Sequence, residues 1–341
     1  MKVVYTDAHE AFDPKGTWFD GRTLPPRELP RRLHIIKDVV ERRGGCQTVA
    51  PTAHGPGALT RLHSPEYVAF LQEISAATPP GHDSFPGLWP PTVGKPVPPE
   101  RLPRSLKVRM GYYVSDTGTP VTGATFDAAM SAVDCALTGA ELLLGGESLV
   151  YALVRPPGHH AERRRAGGLC FFNNTALAAR ALAARGRVAI LDIDFHHGNG
   201  TQSLFYRSGR VLTTSVHGDP RIAYPFYSGF ADERGAGRGK GLNLNVPLPK
   251  ETSTRSYRRA LARALNAIRR HRPGYLVVAL GFDTYEGDPN GGFIGIGVES
   301  FQAIGGDIAA LGLPTLLVQE GGYNLDALGR CAEKFFEGLA G

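Results

Sequence analysis

The stretch "ILDIDFHHGNGTQ", residues 190 to 202, begins as an apolar strand and then places two carboxylates and two imidazoles within six residues. Glycines at 198 and 200 follow, where the chain can turn sharply. Side chains alternate along a strand, so Asp192, Asp194 and His196 are predicted to share one side. Neighbouring carboxylates repel each other unless a cation neutralises them. The stretch therefore predicts a divalent-metal site at the end of a buried strand.

Apolar, β-branched runs of this kind recur from the middle of the chain to its end. They are "SLVYALV" (148–154), "RVAILDI" (187–193), "RVLTTSV" (210–216), "GYLVVALG" (274–281) and "PTLLVQ" (314–319). Helical segments rich in alanine and leucine are predicted between them, at 174–186, 254–274 and 299–312. Strands and helices in alternation predict one α/β domain over residues 1–341, with a multi-stranded, mostly parallel sheet and helices on both faces.

Unusual polar residues follow each of the five predicted strands. The additions to the first stretch are Arg155 to His160, His217, Asp283 and the segment "EGGY" that ends at Tyr323. In open parallel sheets ligands bind beyond the carboxyl ends of the strands, so these side chains are expected to meet at one edge. Asp283 is the expected third metal ligand, whereas His217 is expected to be structural.

Composition narrows the class of protein. A chain of 341 residues with 42% hydrophobic content can bury a sizeable core, and no run approaches the roughly 18 apolar residues of a membrane span. The opening "MKVVYTDAHEAFDP" lacks a signal-peptide core, and the four cysteines are scattered, so a cytoplasmic location is expected. The charge of +6 and pI near 9.2 come from dispersed arginines, and a nucleic-acid partner is not expected.

Residues 76–105 are crowded with proline and glycine and show neither a helical nor a strand period. The segment nevertheless contains Phe85, Leu88 and Trp89, which a solvated linker does not need. It is predicted to be an ordered loop that packs against and covers a surface, such as that of a partner subunit.

Seven motifs in this order resemble the arginase-fold zinc-dependent deacetylases, the histone deacetylase family, and within it the bacterial acetylpolyamine amidohydrolases. They are "RPPGHHA" (155–161), "GGLCFFNN" (167–174), "LDIDFHHGNGTQ" (191–202), "SVHGDP" (215–220), "GAGRGKG" (235–241), "LGFDTYEGDP" (280–289) and "EGGY" (320–323). The resemblance runs over nearly the whole chain. It implies a zinc-dependent amidohydrolase that removes an acetyl group from a small acetylated amine, and a homodimer or dimer of dimers in which the insertion at 76–105 pairs subunits and shapes the entrance.

The resemblance also implies roles for individual residues. The zinc ligands would be Asp194, His196 and Asp283, the catalytic residues His159, His160 and Tyr323, and their supporting residues Asp192 and Asn199. A potassium ion would be bound by Asp192, Asp194, His196, Ser215 and the carbonyl of Val216, and the substrate by Gly168, Phe172 and Tyr224. A site with two carboxylates could also take iron(II) or cobalt(II).

The implied chemistry can be stated in physical terms. The metal polarises the amide carbonyl, His160 takes a proton from water, one of the two histidines protonates the leaving amine, and Tyr323 donates to the oxyanion. Asn199 supplies only a dipole where an aspartate would raise the pKa of His160, so His160 is expected to be neutral near pH 7.

The substrate is less well determined by the sequence. Lys107, Arg109 and the run Arg163 to Arg165 predict a basic rim that would repel a polycation, and Asp116 and Asp20 compensate for it only in part. Deacetylation of an acetyl-lysine peptide or of an anionic acetylated molecule therefore stays open. A ureohydrolase would need an aspartate at Gly198 for a second metal, and a non-catalytic acyl-amine-binding protein would have no use for Tyr323.

Overall fold

A computed structural model describes residues 1–19, 21–87 and 97–341 of the chain. Eight of the strands in these ranges form one sheet in which every neighbouring pair is parallel. They are β1 (Lys2–Val4), β4 (Gln47–Val49), β5 (Leu149–Ala152), β6 (Val188–Asp192), β7 (Val211–Gly218), β8 (Asn243–Leu248), β9 (Tyr275–Leu280) and β10 (Thr315–Gln319). The strand order is β4-β1-β5-β10-β9-β6-β7-β8, and β2 (Thr17–Phe19) pairs with β3 (Arg22–Leu24) in a separate antiparallel hairpin.

Helices cover both faces of the sheet, as the sequence predicts. They are α1 (Arg31–Arg42), α2 (Pro65–Ala77), α3 (Leu106–Tyr113), α4 (Thr125–Leu144), α5 (Asn174–Leu182), α6 (Asn199–Phe205), α7 (Thr254–His271), α8 (Ser300–Ala309) and α9 (Leu325–Ala340). One core cluster joins the sheet to α2, α4 and α5, and the other joins it to α1, α7, α8 and α9. In α7, for example, Tyr257, Leu261 and Leu265 recur every four residues and are buried on one side.

The five predicted strands are confirmed: each begins one residue inside its apolar run, and its last residue differs from that of the run by two positions at most. Strands β1 and β4 and the two hairpin strands were not predicted, because three residues are too few to show a period. Strand β8 was not predicted either, because Asn243 and Asn245 interrupt the apolar pattern of this edge strand.

The Pro/Gly-rich segment is partly described. Within it Ser84 forms an isolated antiparallel bridge with Val121, and a short 3-10 helix spans Pro99–Arg101. Phe85 is partly buried. Leu88 and Trp89, like Asp20, lie outside the described residues, so the packing expected of them is not addressed by the structure.

The sheet order explains where a site can form. Strands β5, β10, β9 and β6 are consecutive neighbours near the middle of the sheet, and their carboxyl ends lead to His159 and His160, Tyr323, Asp283, and Asp194 and His196 respectively. Loops at this edge converge, as in other open α/β sheets. Across the described ranges, no helix combines the length and apolarity that a bilayer crossing requires.

Candidate active site

Asp194, His196 and Asp283 meet at the carboxyl edge, with one donor atom of each lying within 4.8 Å of the other two. His196 Nδ1 is 2.9 Å from Asp283 Oδ2 and 3.2 Å from Asp194 Oδ1. His196 Nε2 lies 3.0 Å from the carbonyl oxygen of Asn290, to which it can donate. That contact turns the Nδ1 lone pair toward the two carboxylates, which is the usual orientation of a histidine that binds a metal.

The local backbone holds the two carboxylates in place. Asp194 Oδ2 accepts the N–H of Gly321 at 2.8 Å, and Asp283 Oδ1 accepts the N–H of Phe195 at 2.9 Å. Glycine is required at two close approaches: a Cβ on Gly281 would stand 2.3 Å from Asp194 Oδ2, and one on Gly321 would stand 2.5 Å from an oxygen of each carboxylate. The backbone therefore leaves open the space between the acids.

The crowding of two buried carboxylates in this cluster favours the binding of a cation. Burial and the charge of Asp194 raise the pKa of Asp283 to about 8. Despite burial, contacts with the two carboxylates raise the pKa of His196 well above its ordinary value. Two buried carboxylates and one imidazole form a donor set that suits zinc and leaves room for further ligands. The three residues therefore fit a catalytic divalent ion.

Asp192 enters this arrangement differently from the way its spacing predicts. Strand β6 ends at Asp192, so Asp194 and His196 lie beyond the strand and alternation does not orient them. Instead, Asp192 Oδ1 accepts the N–H of Asp194 at 3.1 Å, and Asp194 Oδ1 accepts the N–H of His196 at 2.9 Å. Each acid thus fixes the residue two positions later by a local side-chain to backbone bond.

The tandem histidines follow β5 and have unlike partners. His159 Nδ1 lies 3.0 Å from Asp192 Oδ2, and His160 Nδ1 lies 2.8 Å from Asn199 Oδ1, with both imidazoles almost fully buried. The Asn199 amide in turn donates to Glu162 at 3.0 Å.

These partners separate the two pKa values. Burial would lower the pKa of His159, but the charges of Asp192, Asp194 and Glu320 raise it to about 10. Burial, with the charges of His159 and His196, lowers the pKa of His160 well below its ordinary value. The structure thus pairs one histidine that holds a proton with one that is free to accept a proton.

Tyr323 lies on the loop after β10, two residues beyond Gly321, whose N–H donates to Asp194. Gly322, before it, has a φ of +117°, a conformation that glycine adopts without strain. The guanidinium of Arg32 lies 4.5 Å from the centre of the Tyr323 ring. Burial raises the pKa of the Tyr323 phenol well above its ordinary value, with Asp194 and Asp283 adding to the shift. The hydroxyl therefore stays protonated and can act as a hydrogen-bond donor.

Sequence reasoning missed the role of Glu320, a buried carboxylate that joins two loops of the site. Its Oε2 accepts the N–H of Gly158 at 2.7 Å and of His159 at 3.1 Å, and its Oε1 accepts the Thr175 hydroxyl at 2.8 Å. Glu320 thereby ties the tandem-histidine loop to the tyrosine loop. The only signal in the sequence was the acid at the start of "EGGY".

A buried ionic triad, also missed, lies beneath the tyrosine loop. The Glu28 carboxylate contacts Arg32 Nη1 at 2.5 Å and Arg155 Nε at 2.5 Å, and all three side chains are at most 1% exposed. Arg32 also donates to the carbonyls of Gly322 and Glu320, at 2.6 Å each. The triad therefore fixes the backbone that presents Tyr323.

The residues expected to contact substrate divide into two groups. Gly168 and Tyr224 lie beside His160, whose ring the Tyr224 ring meets edge-on at a centroid distance of 4.8 Å. Asp116 Oδ2 accepts both the Tyr224 hydroxyl at 3.0 Å and the Gly168 N–H at 2.7 Å. These groups form a polar wall next to the histidines.

Phe172 is the exception. Its ring is 1% exposed and packs in the core against His63, Tyr67 and Phe126, so it is not available to line an entrance. The substrate contact predicted for Phe172 is therefore wrong. Leu169, partly buried and with a φ of +68°, follows Gly168, and its N–H donates to the Thr119 hydroxyl at 2.9 Å.

Two of the residues expected to bind potassium lie beside each other on neighbouring strands. Ser215 pairs with Asp192 in the register between β6 and β7, and Val216 follows it. The Ser215 hydroxyl lies 2.7 Å from Nδ1 of His217, whose Nε2 is 2.9 Å from the carbonyl oxygen of Gly229. His217 is fully buried, and burial lowers its pKa to about 4. These contacts give His217 a structural role, as expected.

The carboxyl edge of this parallel sheet brings two carboxylates and the His196 imidazole together, with the imidazoles of His159 and His160 beside them. Such a donor set is typical of a metal-dependent hydrolase. Comparison with known proteins agrees. The histone deacetylase domain model matches residues 26–339. The chain therefore belongs to the histone deacetylase family, whose members are hydrolases acting on amide bonds.

Individual relatives are similar over their whole length. Acetylpolyamine amidohydrolase 2 of Pseudomonas aeruginosa is 39% identical, over 100% of this chain and 99% of that protein. Acetylpolyamine amidohydrolase of Mycoplana ramosa is 37% identical, over 100% of both. The crystal structure of an acetylpolyamine aminohydrolase from Burkholderia pseudomallei superimposes with a TM-score of 0.92 at 36% identity, covering 100% of this chain and 98% of that one.

Proposed function

We propose that this protein is a zinc-dependent deacetylase that hydrolyses the amide bond of small acetylated polyamines. The observation that carries the proposal is the meeting of Asp194, His196 and Asp283 at one edge of the sheet. It is supported by two histidines whose pKa values are shifted in opposite directions and by a tyrosine whose raised pKa keeps it protonated. The relatives that match the whole chain are named for acetylpolyamines, which supports this substrate class.

The metal site we propose consists of Asp194, His196 and Asp283. A zinc ion bound there would act as a Lewis acid toward the substrate carbonyl. The site leaves room for water and substrate because the three residues supply only three protein ligands.

The proton transfers are assigned to the histidines and the tyrosine. His160, neutral because it is buried and paired only with an amide, accepts the proton of the attacking water. His159, which the charge of Asp192 keeps protonated, supplies positive charge beside it. The proton accepted from water then passes to the leaving amine, and the Tyr323 hydroxyl donates to the oxyanion that forms when water adds to the carbonyl.

The charges near the entrance are compatible with a cationic substrate. Asp116 brings a carboxylate to the wall formed by Tyr224 and Gly168. Two of the arginines in the predicted basic rim have protein partners: Arg109 pairs with Glu73 at 3.1 Å and Arg163 donates to the carbonyl of Leu62 at 3.3 Å. The charge of Arg109 is therefore partly compensated before a polyamine approaches.

We extend the proposal to the remaining features of the resemblance. A potassium ion would be bound by Asp192, Asp194, His196, Ser215 and the Val216 carbonyl, where it would offset the crowded carboxylates. Residues 1–341 would form one deacetylase domain, and residues 76–105 would pair subunits into a homodimer or dimer of dimers and narrow the entrance. A cytoplasmic location is supported by the four cysteines, all within the described part of the chain and all free thiols.

Acetate release by the zinc-loaded protein tests the function. N-acetylputrescine, N-acetylcadaverine, an acetyl-lysine peptide and N-acetylglutamate would be compared, with Tyr323→Phe as the control. We expect the two diamines to give the highest kcat/KM. Preference for the peptide or for N-acetylglutamate would overturn the polyamine assignment and implicate Lys107 and Arg163 to Arg165, and a zinc-loaded protein that binds these amides without releasing acetate would overturn catalysis itself.

A further inference from the structure

We infer that His9, Glu10 and His34 form a second divalent-metal site, separate from the site at the sheet edge and suited to zinc. His9 and Glu10 belong to the 3-10 helix Asp7–Ala11, and His34 belongs to α1. A metal bound there would tie the N-terminal helical turn to α1. None of the three residues takes part in the proposed reaction.

The donor atoms are already close together. One ring nitrogen or carboxylate oxygen from each residue lies within 4.8 Å of the other two. His34 Nε2 is 2.8 Å from Glu10 Oε1, and the rings of His9 and His34 are 5.9 Å apart between centroids. Donors around one tetrahedral zinc lie about 3.4 Å apart, given bonds of about 2.1 Å. The side chains of His34 and Glu10, 45% and 50% exposed, are free to make that adjustment.

His9 provides independent evidence for a ligand. It is only 2% exposed, and its Nδ1 has no hydrogen-bond partner among the residues that the structure describes. Its Nε2 is occupied by the Tyr5 hydroxyl at 3.0 Å. A buried, unpaired imidazole nitrogen is costly unless a group outside the protein satisfies it. Nδ1 is thus the nitrogen left for a metal, and Tyr5 supplies the outer hydrogen bond that usually orients such a histidine.

The chemistry of the donors selects the ion. Two imidazoles and one carboxylate match catalytic-type zinc sites and also accept cobalt(II), nickel(II) or copper(II). Magnesium and calcium prefer sets made entirely of oxygen, so they are poor candidates. Since only three protein ligands are available, at least one position is left for water or another ligand.

The position of the site connects it to the catalytic edge. The carbonyl of His9 accepts a hydrogen bond from Arg155 Nη1 at 2.7 Å, and Arg155 pairs with Glu28 in the buried triad. His34 lies two residues after Arg32, whose guanidinium covers the Tyr323 ring. A metal that binds both His9 and His34 would therefore fix the backbone next to Arg155 and the helix that carries Arg32, the two arginines of the triad that supports the tyrosine loop.

Zinc titration of the holoenzyme tests the inference. Protein carrying one zinc per chain is titrated with ZnCl2 by calorimetry, and metal content is measured after dialysis. The test variants are His34→Ala and Glu10→Gln. The side chains of His34 and Glu10 are about half exposed, so we expect both variants to fold like the parent chain. The matched controls are His82→Ala, an exposed histidine elsewhere, and His54→Ala, whose ring lies between Asp134 and Glu141.

We expect a second equivalent of zinc to bind the parent chain, and at least tenfold more weakly to both test variants, while the controls keep it. The thermal midpoint should rise with added zinc in the parent and not in His34→Ala. No second equivalent, or a second equivalent lost only in His54→Ala, would overturn the inference. The first equivalent should be unaffected throughout, so the result does not depend on the proposed catalytic site.

Discussion

Replacing Gly321 with alanine would test the metal site without relying on activity. The backbone at this position is not in the left-handed region, so alanine is conformationally acceptable there. Its methyl group, however, would stand 2.5 Å from Asp194 Oδ2 and 2.5 Å from Asp283 Oδ2. Gly321→Ala therefore acts on both proposed carboxylate ligands and leaves their chemistry unchanged.

The size of the effect follows from the distances. Ordinary van der Waals contact begins at 3.4 Å, so the two oxygens and the methyl must separate by about 0.9 Å (3.4 minus 2.5). Metal–ligand distances tolerate only about 0.2 Å of deviation. Since loss of an outer-shell partner alone weakens metal affinity by about 10- to 100-fold, displacing two ligands should weaken zinc binding by about 100-fold or more.

The assay is competition for zinc against a chromophoric chelator, together with the free energy of unfolding in EDTA. The metal-free variant should lose only about 1–3 kcal/mol through overpacking, which would show that the fold survives. Gly186→Ala is the matched control, because nothing lies within 4 Å of the added methyl and the residue is outside the left-handed region. Unchanged zinc affinity in a folded Gly321→Ala protein would refute the assignment of Asp194 and Asp283 as ligands.

Three further predictions concern single side chains. Tyr323→Phe removes the oxyanion donor, so kcat should fall by about 10²–10³-fold, or about 3–4 kcal/mol, while zinc content measured by mass spectrometry stays the same. Asn199→Asp places a carboxylate beside His160 and raises its pKa, so the acidic limb of the profile of kcat/KM against pH should move up by about 1–2 units; an unmoved limb would contradict the pairing. Burial lowers the pKa of His63 to about 4 from 6.5. The stability that the neutral His63 side chain contributes is therefore fully present above pH 6.5, and up to about 3 kcal/mol of it is lost as the pH falls toward 4. In urea unfolding between pH 6.5 and pH 4, the free energy of unfolding should depend less steeply on pH in His63→Gln, and an equal slope would contradict the assignment of this pH dependence to His63.

The parts of the fold that the sequence predicted are those with long patterns. The strands β5, β6, β7, β9 and β10 are apolar because both faces are covered, and such runs stand out in any sequence. Strands as short as β1 and β4 carry no such signal, because what fixes them is pairing with neighbours: Lys2 to Val4 lie between Gln47 to Val49 and Val150 to Ala152. Tertiary contacts, not local preference, decide these segments.

The site shows the same division. The meeting of Asp194, His196 and Asp283 was predictable because the carboxyl ends of adjacent parallel strands converge at one edge. Phe172 was misplaced because sequence distance from Gly168 does not say which way a ring points, and this ring turns into the core. Position along a motif therefore identifies the loop that forms a wall more reliably than the side chain that lines it.

Glu28, Arg32 and Arg155 could not have been assigned from sequence, and their role is electrostatic as well as structural. Two guanidinium groups and one carboxylate bury a net positive charge beneath a loop whose other side carries Glu320 and the metal-binding acids. Removing Glu28 would leave both guanidinium groups buried without their counter-ion, and breaking a buried ion pair in this way costs about 3–5 kcal/mol. The positive triad and the negative cluster therefore stabilise each other across the backbone of residues 320–322, and the hydrogen bonds from Arg32 to that backbone hold Tyr323 at the boundary between them. The tyrosine owes its position to charges that lie more than 100 residues away from it along the chain.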